Sequence, residues 1–201
     1  AAFAAIANKG VYTEPILYSK ILDQDGNVLI DNVPETHVAM KESTAWLLTS
    51  AMQDVVSSGT GTPAQIDEYG IAEAGKTGTT ENTTDLWFVG YTPYLTAGIW
   101  LGYDNSISME GHISYDHEEH KYLWSDIMSE VLEGYENADF PMPSSIERAT
   151  VCSGSGLLPN GACPTITEYF SKDSIPTEYC SSHQLVPAYI CNVCGKVATS
   201  N

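Results

Sequence analysis

Positive charge is scarce in this sequence. Its 201 residues hold 8 Lys and Arg against 26 Asp and Glu, a formal net charge of −18. That field repels phosphate backbones and anionic membrane surfaces over a Debye length of about 8 Å at physiological salt. Nucleic acid is therefore not an expected partner. Long apolar runs are also missing. None approaches the roughly 20 residues of a membrane-spanning helix, so any tie to a membrane has to come from an anchor outside these residues. The opening "AAFAAIANKG" has no basic flank of the signal-peptide kind. It reads as a helix stopped at Gly10, as though the sequence starts within a domain. Cysteine is absent before Cys152, and all five cysteines fall in the last quarter, among serine, proline and glycine. A hydrophobic content of 43% excludes a disordered chain. The length suits one domain with a small appendage, and the change in composition places the boundary between 1–140 and a loop-rich tail, 141–201.

Periodicity gives the elements. Apolar stretches flank Asp25-Gly26, a dipeptide that favours the positive φ angles of tight turns, which predicts a hairpin over about 17–31. Ala45, Trp46, Leu48, Met52, Val55 and Val56 recur at helical spacing from Glu42 to Ser58, ahead of the glycines of "SSGTGTP". The aromatic and β-branched segments "DLWFVGY" and "LTAGIWLGYDN" predict an antiparallel pair around Thr92-Pro93-Tyr94. A second helix over about 119–133 carries Tyr122, Leu123, Trp124, Ile127, Met128, Val131 and Leu132 on one side, with Gly134 as its cap. The fold class expected is α/β of the α+β kind, an antiparallel sheet flanked by helices.

Within "GIAEAGKTGTTENTTDLWFVGYTP", the run "KTGTT" sets one cation among hydroxyls in a strand. Lys76, Thr77 and Thr79 offer a positive charge and two hydroxyl donors to a carboxylate, and Gly78 lets a ligand come close to the backbone. Such a strand can dock the C-terminus of an extended peptide, and a backbone N–H beside Gly78 can face a developing oxyanion.

The longer segment "GKTGTTENTTDLWFVGYTPYLTAGIWLGYD", Gly75 to Asp104, resembles the third signature and following strands of penicillin-binding protein transpeptidase domains of the class A, bifunctional kind. The resemblance extends upstream to "AAFAAIANKGVYTEPILYSKILDQDGNVL" and "VVSSGTGTPA", and downstream to "VCSGSGLLPNGACP" and "EYFSKDSIPTEYC". It implies a fold like that of these proteins and the serine β-lactamases. It also implies a serine acyltransferase that crosslinks peptidoglycan stem peptides and is acylated by β-lactams, without a cofactor. Of the family signatures S-x-x-K, S-x-N and K-T-G, only the last is present: no serine here has lysine three residues on or asparagine two residues on. By the resemblance, Lys76 sets the electrostatics of the S-x-N serine and the substrate carboxylate. Thr77 and Thr79 bind that carboxylate, the Thr79 N–H is one oxyanion donor, and Gly78 keeps the strand open. The chain is then the C-terminal part of an extracytoplasmic, membrane-associated transpeptidase. Its partners are stem peptides, β-lactams and the N-terminal part of the same domain, and it is inert alone. A wall-binding module without catalysis and a D,D-carboxypeptidase or β-lactamase are the alternatives.

An extracytoplasmic tail favours disulfides over metal for Cys152, Cys163, Cys180, Cys191 and Cys194. Cys152 pairs with Cys163 across "SGSGLLPNGA" on this reading, and Cys180 with Cys191 or Cys194, with no metal expected. The competing pattern is a zinc knuckle of Cys180, His183, Cys191 and Cys194, with C-x2-H and C-x2-C spacing. "TVCSGSGLLPNGACP" and "YICNVCGKVATSN" also look alike. His112, His117 and His120, near Asp116, Glu118 and Glu119, read as an acidic helix start rather than a metal site. Asp85 reads as a turn residue.

Overall fold

The computed structural model describes residues 1–66, 70–114 and 117–184, and the chain divides into two compact units, Ala1–Pro143 and Ser144–Asn201. In the first unit a short helix α1 (Ala2–Ala7) leads into β1 (Val11–Thr13), which pairs antiparallel with β4 (Thr36–Val38). Gly10 joins them at φ +89°, where a Cβ would stand 2.3 Å from the Met40 carbonyl oxygen, so only glycine fits. Between β1 and β4 lies the expected hairpin, β2 (Lys20–Leu22) against β3 (Val28–Asp31). Asp23 Oδ1 accepts from the backbone N–H groups of Asp25 and Asn27 at 2.9 and 2.8 Å, and Gly26 takes φ +84°. Every residue of both strands is exposed, Leu22, Leu29 and Ile30 included.

Helix α2 spans Glu42–Ser58, as the spacing predicts. Ala45, Thr49, Met52 and Val56 are its buried stripe, separated by three or four residues as a helix face requires. Then follow β5 (Ala74–Thr79), β6 (Asp85–Tyr91) and β7 (Thr96–Gly102), an antiparallel sheet in that order. Its register sets Lys76 opposite Val89, Thr77 opposite Phe88 and Trp87 opposite Trp100. Because side chains alternate along a strand, Lys76, Gly78, Trp87, Val89 and Trp100 share one face, and Gly75, Thr77, Leu86, Phe88 and Ile99 the other. Helix α3 (Glu119–Val131) covers the second of these: Trp124 meets Phe88 edge-on at 5.2 Å and donates its indole N–H to the Ala97 carbonyl at 3.1 Å. Val56, Ala64, Ile66, Ile71, Met128 and Leu132 complete that core. A second cluster gathers Met52, Ala74, Tyr91 and Phe140. There Thr49 and Tyr91 share a hydrogen bond of 2.9 Å.

The second helix differs from its expected face. Trp124 and Met128 are buried with His120 and Lys121, whereas Tyr122, Leu123, Ile127 and Val131 are exposed. On the other side of the sheet Trp87 and Trp100 lie 6.3 Å apart, 44% and 40% exposed.

In the second unit β8 (Ile146–Cys152) and β9 (Thr165–Ser171) form a two-stranded antiparallel ribbon. Its described residues bury little: Ile146, Val151, Cys152 and Cys180. Among the described residues no helix is long and apolar enough to cross a membrane.

Candidate functional site

Strand β5 is an outer strand of its sheet, hydrogen-bonded to β6 on one side and to no other strand among the described residues. Its buried end, Ala74 and Gly75, anchors it in the core. A Cβ on Gly75 would lie 2.5 Å from the Phe88 ring, so packing within the chain demands glycine there. Gly78 is different. A Cβ at that position meets only the Trp87 Cβ, at an ordinary 3.4 Å. Among the described residues nothing calls for a glycine at 78, whereas an approaching ligand would.

The other end of the strand is polar and more open. Lys76 is exposed, and its Nζ donates to the Thr77 carbonyl at 3.0 Å and lies 3.4 Å from Thr77 Oγ1. Among the described residues no carboxylate lies within ion-pair distance of it. Thr79 is exposed at the end of the strand. Asp85 stays out of this group, in agreement with its reading as a turn residue. It accepts from the Trp100 indole N–H at 3.0 Å and from the hydroxyls of Thr80 and Thr84 at 3.1 Å each. The Trp100 bond, then those of Thr84 and Thr80, hold its carboxyl below the ordinary range.

Three residues join the site that the spacing of motifs did not mark. Thr60, in the glycine-rich turn after α2, shares a 2.9 Å hydrogen bond with Thr77 through their hydroxyls. Lys121 of α3 is nearly buried and donates to the Thr60 carbonyl and to Glu118 Oε1, each at 3.2 Å. The Glu118–Lys121 pair therefore fixes the loop that holds Thr77 from behind. The "SSGTGTP" run carried a hint, because a hydroxyl between two glycines can approach a strand closely. Lys121 gave none, since a helical lysine normally faces solvent. Removing Thr60's hydroxyl deletes one neutral hydrogen bond, worth about 0.5–1.5 kcal/mol. Thr60→Val is accordingly expected to lower stability by about that amount, read by thermal unfolding, and an unchanged unfolding midpoint would show that the contact does not hold the loop.

Among the described residues, His112, His117 and His120 do not gather as a group of ligand atoms. His120 is buried in α3, and burial, then the Lys121 charge, lowers its pKa, so it is neutral at pH 7. Glu119 turns back to accept from the Ser114 N–H, while Asp116 lies outside the described residues.

In the second unit the bridge expected between Cys152 and Cys163 is not formed: Cys152, Cys163 and Cys180 are all free. The ribbon instead gathers these three with His183, their ligand atoms all within 4.8 Å of one another. The knuckle's Cys180 and His183 thus lie together with Cys152 and Cys163, four donors whose spacing could hold a metal ion. Cys191 and Cys194 lie outside the described residues.

A family model described as the penicillin-binding protein transpeptidase domain matches residues 1–128, and one described as the penicillin-binding protein 1A C-terminal domain matches residues 142–185. The chain is 31% identical over 188 residues to penicillin-binding protein 1A of Clostridium tetani, an alignment covering 91% of this chain and 24% of that protein. It thus spans about a quarter of the length of that relative. In fold it is similar to penicillin-binding protein 1A from Haemophilus influenzae, with a TM-score of 0.70 at 20% identity over 89% of this chain and 32% of the other. It is also similar to the penicillin-binding protein PonA1 from Mycobacterium tuberculosis, with a TM-score of 0.59 at 28% identity over 71% of this chain and 40% of the other.

Proposed function

Because the chain belongs to the penicillin-binding protein transpeptidase family, we propose that it is the substrate-strand part of a peptidoglycan D,D-transpeptidase. Residues outside these 201 supply the nucleophilic serine. That serine's oxygen attacks the carbonyl of the penultimate D-Ala of a stem peptide, the terminal D-Ala leaves, and the amine of a second stem takes the acyl group from the serine. β-Lactams acylate the same oxygen. The protein works outside the cytoplasm, held at the membrane by an anchor beyond this sequence.

The observation that carries this reading is the geometry of β5: an outer strand with an exposed lysine unmatched by any described carboxylate, hydroxyls at Thr77 and Thr79, and a glycine at 78 that internal packing does not require. An extended stem peptide can add to that strand through main-chain hydrogen bonds. Its terminal carboxylate meets Lys76, Thr77 and Thr79 through charge-assisted bonds, and the Thr79 N–H serves as one oxyanion donor.

Two alanines test it. In the complete protein Gly78→Ala is expected to leave the melting temperature near wild type while slowing acylation at least about tenfold, because the added methyl stands where the ligand must lie. Gly75→Ala is expected to destabilise by about 1–3 kcal/mol through collision with Phe88. Acylation kinetics beside thermal unfolding separate the two. A Gly78→Ala enzyme that acylates at the wild-type rate would take the strand out of the reaction.

A further inference from the structure

We propose that Cys152, Cys163, Cys180 and His183 bind one zinc ion that holds the second unit together. The donors come from three places along the chain. Cys152 ends β8, Cys163 stands just ahead of β9, and Cys180 and His183 lie in the segment that returns beside the ribbon. His183 Nδ1 is 3.4 Å from both Cys152 Sγ and Cys180 Sγ. A tetrahedral ion with Zn–S near 2.3 Å and Zn–N near 2.05 Å needs edges of about 3.6 Å from sulfur to nitrogen and about 3.8 Å between sulfurs. The two sulfur–nitrogen edges at 3.4 Å match that polyhedron within about 0.2 Å, and all four ligand atoms lie within 4.8 Å of one another. Three thiolates and one imidazole are a donor set for a closed, redox-inert structural zinc site.

The surrounding backbone is built to hold these donors. The Cys152 N–H donates to the Leu157 carbonyl and the Gly156 N–H to the Cys152 carbonyl, each at 2.8 Å, which folds the chain tightly around Cys152 Sγ. The Cys180 N–H donates to the Leu158 carbonyl, also at 2.8 Å. The Asn160 carboxamide ties Cys180 to His183, its Nδ2 donating to their carbonyls at 2.8 and 2.7 Å. Support of this kind is what orients metal ligands. At Gly154 a Cβ would come within 3.3 Å of His183 Cε1, so glycine lets the ring approach the turn.

The unit also needs a staple. Ile146 and Val151 are the aliphatic side chains its described residues bury, and a two-stranded ribbon with so little core is marginal in water. Small domains with little core often gain stability from disulfides or a metal, and the cysteines here are placed for the second.

The test is made on the intact protein purified without chelator. Elemental analysis is expected to give one zinc per chain. Alkylation should spare Cys152, Cys163 and Cys180 until a chelator is added, and cobalt substitution should give the absorption bands of a tetrahedral thiolate site. Cys152→Ser and His183→Ala are expected to lose most of the zinc, and the pair Cys191→Ser and Cys194→Ser to keep it. The cobalt and alkylation readings use the unaltered protein and hold even if a ligand variant fails to fold. A disulfide among Cys152, Cys163 and Cys180 in a non-reducing peptide map, thiols that alkylate fully before chelation, or zinc lost with Cys191 and Cys194 instead would each overturn the assignment.

Discussion

A polypeptide of these 201 residues alone, incubated with labelled penicillin, is expected to gain no covalent adduct by intact mass, while the complete protein gains one acyl group. The reason lies in what β5 lacks around it. Acylation requires a hydroxyl whose proton is taken by a neighbouring base as the oxygen attacks, and no serine in the sequence has a lysine one helical turn ahead. Within the site, the hydroxyls nearest Lys76 and the Gly78 backbone belong to threonines: Thr77, bonded to Thr60, and Thr79 at the exposed strand end. These are placed to bind an anion. A strand built this way can hold a β-lactam carboxylate, but it has no group that opens the ring. The expected contrast is all or none, and a stable acyl group on the 201-residue chain would refute the division of labour proposed here.

In the complete protein, Lys76→Ala is expected to slow acylation by at least about 10²-fold, the scale of losing one preorganised electrostatic group. The ammonium is exposed and hydrogen-bonded only to groups of Thr77 among the described residues. No acid among the described residues pairs with that charge. Alanine leaves a bound carboxylate facing two hydroxyls and no cation, which costs far more than a surface lysine normally would. Stability should hardly change, because the side chain is exposed. Stopped-flow acylation with a reporter β-lactam, alongside thermal unfolding, reads both quantities. A variant that unfolds early, or that acylates as fast as wild type, would place Lys76 outside the site.

How far the sequence carried depends on the range of the interaction. Helix α2 and the Asp25-Gly26 hairpin are specified by residues within a few positions of each other, so periodicity and turn chemistry locate them. Strands β1 and β4, three residues each, are too short to show a period, and their pairing spans the intervening hairpin. In α3 the apolar residues mark a wide stripe, yet the sheet covers the part holding His120, Trp124 and Met128. Lys121 goes under with them because its stem is apolar and its head finds Glu118 and the Thr60 carbonyl. The K-T-G run announced its chemistry, but the 61-residue separation between Thr60 and Lys121 carries no local signal. The cysteines failed for a related reason. Spacing pairs neighbours in sequence, whereas the β8–β9 ribbon brings Cys152 and Cys163 to Cys180 and His183.

The contact between Thr60 and Thr77 has a direction that matters once an anion arrives. A hydroxyl owns one proton and two lone pairs. Around Thr77 Oγ1 stand the Lys76 ammonium at 3.4 Å, which can only give, and the Thr60 hydroxyl at 2.9 Å, which can give or take. When Thr60 gives, both lone pairs of Thr77 are filled and its single proton has nowhere to turn but outward, toward the empty edge of the strand. When Thr60 takes, that proton is lost to the ligand. An incoming carboxylate has no proton of its own to offer, so it selects the first arrangement. On the proposed reading Thr60 is a polarity switch at one remove, setting which way Thr77 points its hydrogen.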